Sequence, residues 1–402
     1  MEIMLPTTTD NGARLAAILP SGLAAMARGA GHAVPEELRI ASDVTLPAIR
    51  SFVMIVVDGL GSANLSAAIG HAPTLGRLQR KRIETVAPST TGAALTTLVT
   101  GALPGDHGLI GYRIRHPELG LITTLRDWDG IADRAAWQRA RPLFHLAGDL
   151  GARAFAIGRP AHASGGLTEA ILAGAEYVGG QRIEDRFSAA SQLLRGGEPA
   201  VVYLYVDELD KAAHEFGWQS DAWRHRLEQL DGALESLLRG LPGDVGVVVT
   251  ADHGMVDVAA HQQVMIGADS LLLSGVDDIG GEPRFRALYL SDGADAEEVA
   301  LRWQEAEGGR ACIFTREAAV RSGAFGNIAP EVAPRLGDVM IAARKQIAYY
   351  SHLDDPRSLS MVGQHGSFTD EERGVPLALA GALAGTGFAN AVAAVARARA
   401  EA

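Results

Sequence analysis

Short apolar runs alternate with longer amphipathic segments along most of this chain. Apolar runs rich in valine and isoleucine are typical of buried strands, and four segments have this character: 52–57, 154–157, 200–206 and 245–250. Helix-like periodicity predicts helices at 72–82, 92–100, 183–195 and 221–239. In the last helix one stripe carries Trp223, Leu227, Leu230, Leu234, Leu237 and Leu238. This alternation predicts an α/β fold with a mainly parallel central sheet and helices on both faces.

The pattern changes after about residue 260. Shorter elements follow, with strands predicted at 285–290 and 311–314 and a helix at 296–307, separated by turns at Gly280–Gly281 and Gly308–Gly309. We therefore predict a small inserted α+β lobe over 265–335 and a core formed by 1–264 and 336–402. The strand at 338–342 is expected to return to the main sheet.

Two apolar stretches are long enough to be considered as a leader peptide or a membrane span. The stretch 15–26 is broken by Pro20 and lacks a cleavage site, and the segment Met1–Met4 lacks a basic region, so we expect a surface helix and turn. The stretch 377–396 is uncharged and long enough to span a bilayer, but alanine and glycine dominate it. It predicts a strand, a loop and a C-terminal helix, with no membrane association.

Composition limits which ligands and which cellular compartment are expected. The chain has 402 residues and a net charge of −12, which argues against coating a nucleic-acid polymer and leaves a small anionic substrate open. Its single cysteine, Cys312, excludes an intrachain disulfide and a thiolate metal site. We therefore expect a reducing compartment, the cytoplasm.

Potential metal ligands follow the predicted strands. Asp58 follows the first strand, Asp252 and His253 follow the strand at 245–250, and His365 lies between glycines in Gly363-Gln364-His365-Gly366. Asp210 and His214 are four residues apart, which places both on one face of a helix. Because the carboxyl ends of parallel strands meet at one sheet edge, these side chains are expected to converge there. Three Asp and three His suit zinc or another borderline divalent ion.

A hydroxyl-rich segment precedes the helix predicted at 92–100. Ser89, Thr90 and Thr91 have an ordinary role as helix caps. The same position also places a hydroxyl beside free N–H groups, where a phosphate can bind. A neighbouring divalent ion would lower the pKa of such a hydroxyl and make it a nucleophile.

Together these segments resemble the alkaline phosphatase superfamily, and most closely its nucleotide pyrophosphatase/phosphodiesterase (type I phosphodiesterase) branch. The resemblance covers about 52–380 and keeps the order of the motifs along the chain. It is carried by Val57-Asp58-Gly59, Pro88 to Gly101 with Pro104-x-x-His107-Gly108, Tyr205 to His214, Thr250 to Met255 and Gly363-x-His365-Gly366.

The resemblance implies two divalent ions, zinc or alternatively manganese. One would be held by Asp210, His214 and His365, and the other by Asp58, Asp252, His253 and the oxygen of the nucleophile. The nucleophile falls on Thr91, with Thr90 as the alternative, and Asp207 is the alternative to Asp210. Three carboxylates and one alkoxide balance two divalent cations, so we expect Thr91 to attack phosphorus and the phosphothreonine then to be hydrolysed.

The chain departs from the branch at three positions. Gly92 stands where an aromatic residue usually stacks on a base, Ala94 stands where an asparagine usually binds a phosphoryl oxygen, and Ala213 replaces a glycine. Tyr205 could stack on a base or be a core strand residue, and the N–H groups near Gly92 could replace the missing amide. The small residues predict a wider pocket.

We therefore expect a di-zinc phosphodiesterase or nucleotide pyrophosphatase that acts on a small phosphate ester. The alternatives are a phosphomonoesterase or phosphonoacetate hydrolase of the same superfamily, for which Arg113 and Arg115 could supply extra positive charge. A catalytically silent, metal-stabilised binding protein is the third hypothesis, and Thr91 argues against it. The position of Cys312, far from the nucleophile segment, argues against a sulfatase.

Overall fold

A computed structural model describes residues 10–41 and 43–400. The segment Met1–Met4, on which the absence of a leader was argued, lies outside these residues. The strands are, in chain order, β1 Ser51–Val57, β2 Gln79–Glu84, β3 Arg113–His116, β4 Gly120–Thr123, β5 Arg153–Gly158, β6 Glu176–Gly179, β7 Ala200–Val206, β8 Val245–Thr250, β9 Val256–Asp257, β10 Gln263–Ile266, β11 Val276–Glu282, β12 Phe285–Leu290, β13 Ala311–Thr315, β14 Val339–Ala343, β15 Ala348–Ser351, β16 Gly363–Gln364 and β17 Gly374–Gly381.

The α-helices are α1 Ala13–Ala16, α2 Ile18–Ala30, α3 Ser62–Ala67, α4 Pro73–Arg77, α5 Thr91–Thr100, α6 Pro104–His107, α7 Arg134–Trp137, α8 Leu146–Asp149, α9 Gly166–Ile171, α10 Ile183–Arg195, α11 Glu208–Phe216, α12 Asp221–Arg239, α13 Ala296–Glu307, α14 Arg316–Ser322, α15 Asp370–Arg373 and α16 Phe388–Ala400. Among the described residues, no helix is long and apolar enough to cross a bilayer.

The main sheet has seven strands in the order β2-β17-β8-β1-β7-β5-β6. Strand β1 pairs in parallel with β7 and β8, and β5 pairs in parallel with β6 and β7. Only β17 runs against its neighbours in this sheet, β8 and β2. Every residue of β1 and β8 is buried; α2 packs against β1, and α10, which contacts α12, packs against β7 and β5. The predicted α/β class with a mainly parallel sheet is confirmed.

Many element boundaries match the sequence pattern. Helices α10, α12 and α13 and strands β7, β8 and β12 have the predicted limits. In α12 the stripe from Trp223 to Leu237 is buried and Ser220 caps the helix by accepting from the Trp223 N–H. The uncharged stretch 377–396 contains the end of strand β17, a loop and most of helix α16, as expected.

Three predictions about elements are wrong. The segment 72–82 is a short helix α4 followed by β2, because the charged residues Arg80, Lys81 and Arg82 belong to an edge strand, where exposed charge is favourable. The stretch 15–26 is not on the surface: Leu15, Ile18, Leu19, Leu23 and Met26 are buried against β1 and other helices.

The third concerns the return to the main sheet. Strand β14 pairs with β12 and β13 and completes a separate four-stranded sheet in the order β11-β12-β14-β13. Helix α13 packs on this sheet and forms a small second core around Trp303 and Ile313. Within it, Gly280 and Gly281 lie in β11 and not in a turn, which falls at Pro283–Arg284. A lobe limited to 265–335 would therefore omit β14, and the two-part division of the chain remains a prediction.

Candidate metal centre

The candidate ligands gather at the carboxyl edge of the three central strands. Asp58 directly follows β1, and Asp252 and His253 follow β8. Strand β7 leads into α11, whose i,i+4 spacing directs Asp210 and His214 to the same side. Because β7, β1 and β8 are adjacent and parallel, these five side chains meet at one end of the sheet.

His365 reaches this end from another direction. It follows β16, which pairs with β9 a few residues after His253. The loop is held to the segment before α5, since the Gly366 N–H donates to Ser89 Oγ at 3.1 Å and His365 Nδ1 lies 2.9 Å from the Ser89 carbonyl oxygen. These contacts bring His365 next to the residues that precede α5.

The three histidines share one tautomer. In each ring Nδ1 faces a backbone carbonyl: Gly363 for His214 at 2.7 Å, Gly254 for His253 at 3.2 Å, and Ser89 for His365. A carbonyl oxygen only accepts, so Nδ1 carries the proton and Nε2 keeps its lone pair. Each imidazole therefore presents Nε2 as a ligand atom, oriented by a hydrogen bond from its other nitrogen.

Nitrogen and oxygen atoms crowd around His253. Its Nε2 lies 3.3 Å from Asp58 Oδ1, 3.4 Å from Asp252 Oδ2 and 3.1 Å from Thr91 Oγ1. Its ring stacks on His365 with centroids 3.6 Å apart. Asp210 Oδ1 lies 3.4 Å from His214 Nε2. Two groups of ligand atoms lie within 4.8 Å of one another, namely Asp210, His214 and His365, and Asp58, Asp210 and His253.

Several of these oxygens are buried and have no hydrogen-bond partner among residues 10–41 and 43–400. They are Asp58 Oδ1, Asp210 Oδ1 and Asp252 Oδ2. A buried carboxylate oxygen that has no partner is costly unless a cation compensates it. Burial raises the pKa of Asp58 well above its usual value, and the charges of Asp210 and Asp252 raise it further. Burial, followed by the nearby His253 and His214, lowers the pKa of His365 well below its ordinary range. Neutral imidazoles beside uncompensated carboxylates fit a pair of divalent cations.

Thr91 is the hydroxyl that faces these ligands. It is the first residue of α5, is 7% exposed and contacts His253. Thr90, the alternative nucleophile, is the N-cap; among residues 10–41 and 43–400 its buried hydroxyl makes no capping hydrogen bond and faces Glu282. The structure thus brings Thr91, and not Thr90, within contact of a candidate ligand.

Asp207, the alternative to Asp210, points away from the cluster. Its carboxylate accepts from Arg159 Nε at 2.6 Å, from His162 and from Lys211. Burial acts to raise the pKa of Asp207, but these donors outweigh it and hold the pKa far below its usual value. Asp207 is therefore compensated by protein cations, whereas Asp210 is not.

The two expected substrate residues have specific neighbours. The Tyr205 hydroxyl donates to Asp58 Oδ2, and its ring stacks on Tyr203 with centroids 6.3 Å apart. Gly92 is crowded, because a Cβ atom there would lie 2.7 Å from Thr124 Oγ1. The predicted wider pocket is wrong at this position, since Thr124 fills the space that an aromatic side chain would need.

Sequence reasoning missed Glu282 and Glu372. Glu282, at the end of β11, lies 3.6 Å from His365 Nδ1 and packs against Gly366, where a Cβ would be 2.6 Å from its Cδ. Burial raises the pKa of Glu282 well above its usual value. Glu372 binds the Ser367 N–H at 3.0 Å and Arg284 at 2.7 Å. Neither belongs to a motif: Glu282 reaches the centre from the small sheet, and Glu372 from the short helix α15.

Comparison with known proteins identifies the class. The model of the type I phosphodiesterase / nucleotide pyrophosphatase family matches residues 52–368. The chain therefore belongs to this family, a branch of the alkaline phosphatase superfamily.

Particular relatives are distant. Human ectonucleotide pyrophosphatase/phosphodiesterase family member 1 is 23% identical over 218 residues, which are 50% of this chain and 23% of the relative. Venom phosphodiesterase 2 from Crotalus adamanteus is 25% identical over 50% of this chain and 26% of its own length. The chain thus matches about a quarter of the length of these relatives.

Solved structures share the fold. Phosphonoacetate hydrolase from Sinorhizobium meliloti 1021, in complex with phosphonoformate, has a TM-score of 0.63 and 22% identity, with 87% of this chain and 97% of that chain covered. Murine ectonucleotide pyrophosphatase / phosphodiesterase 5 has a TM-score of 0.62 and 19% identity, with 82% and 87% covered.

Proposed function

We propose that this chain is a hydrolase of phosphodiester or pyrophosphate bonds that uses two divalent cations, zinc or alternatively manganese. The observation that carries the proposal is the convergence of three unpartnered carboxylate oxygens, three Nε2 acceptors and one threonine hydroxyl in a buried space. Carboxylate oxygen and imidazole nitrogen are the ligand atoms that zinc accepts, and manganese accepts them as well.

Each ligand has a proposed place. Asp210, His214 and His365 would hold one cation, and their mutual distances support this grouping. Asp58, Asp252 and His253 would hold the other together with the Thr91 oxygen, which is supported by the contacts of His253 Nε2. The hydrogen bond from Tyr205 would orient the Asp58 carboxylate.

The proposed reaction has two steps. When bound, the cations would lower the pKa of the Thr91 hydroxyl and offset negative charge on the phosphoryl group. The Thr91 oxygen then forms a bond to phosphorus while the bond to the leaving oxygen breaks, and water cleaves the resulting phosphothreonine. The first N–H groups of α5, at Gly92 and Ala93, are suitably placed at a helix N-terminus to bind a phosphoryl oxygen.

The proposed substrate is a small phosphate ester of nucleotide type. Gly92 would contact it through its N–H and Tyr205 through its ring. We also propose a cytoplasmic location, which the single buried cysteine, Cys312, supports.

One observation favours a second candidate, a hydrolase of small phosphonates. Thr124 fills the space beside Gly92, so no aromatic side chain can stack on a base there. The Sinorhizobium meliloti phosphonoacetate hydrolase binds phosphonoacetate and phosphonoformate, which have no base. A phosphomonoesterase remains a further alternative of the same class.

Hydrolysis of bis(4-nitrophenyl) phosphate by the zinc-loaded protein tests the proposal. Thr91→Ala should reduce kcat by at least about 10³-fold while the bound zinc is retained, because only the nucleophile is lost. Thr90→Ala is the matched control and should keep most activity, since the Thr90 side chain makes no capping hydrogen bond.

The other outcomes are informative. Equal rates for wild type and Thr91→Ala would reject Thr91 as the nucleophile. A protein that binds zinc without hydrolysing the diester, 4-nitrophenyl phosphate or phosphonoacetate would support the catalytically silent alternative. Faster hydrolysis of the monoester or of phosphonoacetate would select the corresponding hydrolase.

A further inference from the structure

The β3–β4 hairpin lies beside the N-terminus of α5. Thr124, directly after β4, is the residue whose hydroxyl crowds Gly92, and this hydroxyl donates to the Gly111 carbonyl at 3.0 Å. The Thr124 N–H donates to the Tyr112 carbonyl at 2.9 Å. The residues that lead into β3 therefore form one wall next to Thr91.

Strand β11 of the smaller sheet runs along the same hairpin. Arg115 pairs with Asp278 at 2.8 Å, and the Arg113 carbonyl oxygen would lie 2.6 Å from a Cβ on Gly280. Glu282, two residues further, reaches His365. Alternate residues of a strand share a face, so Asp278, Gly280 and Glu282 form one line that leads to the candidate metal centre.

Arg113 lacks the partner that Arg115 has. It is half-buried and, by strand alternation, lies on the same face as Arg115. Within residues 10–41 and 43–400 it forms no ion pair and no side-chain hydrogen bond. The facing position cannot supply an acid, because any side chain on Gly280 would clash with the Arg113 carbonyl and the Tyr289 ring.

A second guanidinium adds positive charge nearby. Arg286, in β12, is 2% exposed and pairs with Asp354. Burial is the main cause that lowers the pKa of Arg286, and the charge of Arg113 lowers it further. Asp278 and Asp354 are thus each paired with an arginine, whereas Arg113 has no ion pair among residues 10–41 and 43–400.

We propose that Arg113 binds a second anionic group of the substrate, a carboxylate or a phosphate, attached to the phosphoryl group that Thr91 attacks. This inference rests on the proposed function and narrows its substrate class. A guanidinium forms paired hydrogen bonds with either anion, and a partly buried one loses little entropy on binding. Arg113 is thus assigned as a specificity-determining residue.

Two diesters with the same leaving group provide the test. Carboxymethyl 4-nitrophenyl phosphate carries a second anion, and ethyl 4-nitrophenyl phosphate does not. The zinc-loaded wild type should prefer the carboxymethyl ester by about 10-fold or more in kcat/KM, the range expected for a charged hydrogen bond. Arg113→Ala should lose this preference and hydrolyse the ethyl ester within about twofold of the wild-type rate, whereas Arg113→Lys should keep part of it.

Two controls are needed: one tests whether loss of any arginine has the same effect, and the other compares a carboxylate with a phosphonate as the second anion. Arg321→Ala removes an exposed arginine of α14 and should keep the preference. A third ester with a phosphonomethyl group shows which anion is preferred. Equal kcat/KM for the charged and uncharged esters in wild type, or a preference that persists in Arg113→Ala, would overturn the assignment.

Binding to the Thr91→Ala protein makes the result independent of turnover. Calorimetric titration should give a lower Kd for the carboxymethyl ester than for the ethyl ester, by about 10-fold, and Arg113→Ala in the same background should remove the difference. If wild type binds the esters in this way without hydrolysing them, the proposed function fails and the role of Arg113 stands. If all esters are hydrolysed but none is discriminated, the role of Arg113 fails and the proposed function stands.

Discussion

Two carboxylates one helical turn apart, Asp207 and Asp210, show how neighbouring charge decides a residue's role. Asp207 is surrounded by Arg159, His162 and Lys211, so its negative charge is already compensated. Asp210 has a buried oxygen without a partner in the part of the chain that the structure describes, and burial raises its pKa above the usual value. A bound cation would stabilise Asp210 far more than Asp207.

This contrast gives a prediction about metal content. Asp210→Asn should lose at least one of two bound zinc ions, measured by mass spectrometry after dialysis, because both ligand groups include Asp210. Asp207→Asn should keep both ions but lower the free energy of unfolding by about 2 kcal/mol, since it weakens charged hydrogen bonds from donors that are partly exposed. The reverse pattern would make Asp207 the ligand.

His107 predicts a dependence of stability on pH. Burial lowers the pKa of His107 to about 3, and its neutral ring accepts from the Leu109 N–H and donates to Thr97 Oγ1. Because the folded pKa lies below the unfolded value of about 6.5, this stabilisation is present above about pH 6.5 and is lost as pH falls towards 3.

The measurement is urea unfolding between pH 7 and pH 5. The contribution of His107 should weaken the wild type by up to about 1.4 kcal/mol per pH unit below 6.5. His107→Gln should flatten this slope, whereas the exposed His225→Gln should keep it. An unchanged slope in His107→Gln would contradict the buried, neutral state of His107.

At the scale of elements, α5 and the β3–β4 hairpin meet where Thr91, the proposed nucleophile, begins its helix. A Cβ atom on Gly92 would lie 2.7 Å from Thr124 Oγ1, so it requires either a shift of α5 or rotation of Thr124 away from its bond to the Gly111 carbonyl. A shift of α5 would move Thr91 relative to His253, from which it is 3.1 Å away. Gly92 therefore matters for the position of Thr91 and not for the formation of α5.

Gly92→Ala should lower kcat/KM for the diester by roughly 10-fold, because small displacements of reacting groups are costly. Stability should change little, since a helix prefers alanine to glycine by about 1 kcal/mol and this offsets the crowding. Adding Thr124→Ala should restore most activity, because Thr124 Cβ is 3.4 Å from the new methyl position, an ordinary contact. A double variant no better than Gly92→Ala would argue against crowding as the cause.

The pattern of apolar residues predicts helices and strands well where the buried positions recur with the period of the element. The limits of α10, α12, β7 and β8 follow from apolar stripes and β-branched runs. The pattern was misleading for 72–82, where β2 depends on pairing with β17 almost 300 residues away. It also misplaced β14, because the same apolar run could pair in either sheet.

At the scale of the molecule, a buried ion pair joins the smaller sheet to the centre. Arg284 and Glu372 are both fully buried and lie 2.7 Å apart. The Glu372 carbonyl accepts from the Gly254 N–H at 2.8 Å, and its carboxylate accepts from the Ser367 N–H. One residue thus supports the loops of both His253 and His365.

Glu372→Gln should therefore affect stability and metal binding together. We expect a loss of roughly 3–5 kcal/mol in the free energy of unfolding, because Arg284 would remain buried without a counter-charge. Zinc affinity, measured with a competing chelator, should fall by about 10-fold or more. Asp370→Asn in the same short helix breaks an exposed pair with Arg82 and should cost less than about 1 kcal/mol.

The candidate ligands could be named from the sequence because each follows a strand, lies beside glycine or shares a helix face with another ligand. The supporting contacts could not, since Glu282, Arg284 and Glu372 depend on how two sheets dock. Tyr205 was expected near the substrate, and its hydroxyl bond to Asp58 became apparent only from the packed strands β1 and β7.

The ligands are spread from residue 58 to residue 365, and this spacing orders their assembly during synthesis. Asp58, Asp252 and His253 can meet once β8 has left the ribosome, whereas the group with His214 must wait for His365, more than 100 residues later. For that interval the nascent chain holds one nearly complete set of ligands and one that lacks a histidine. On the proposed assignment of ligands, the site with His214 and His365 could bind a cation only after the last strands are made.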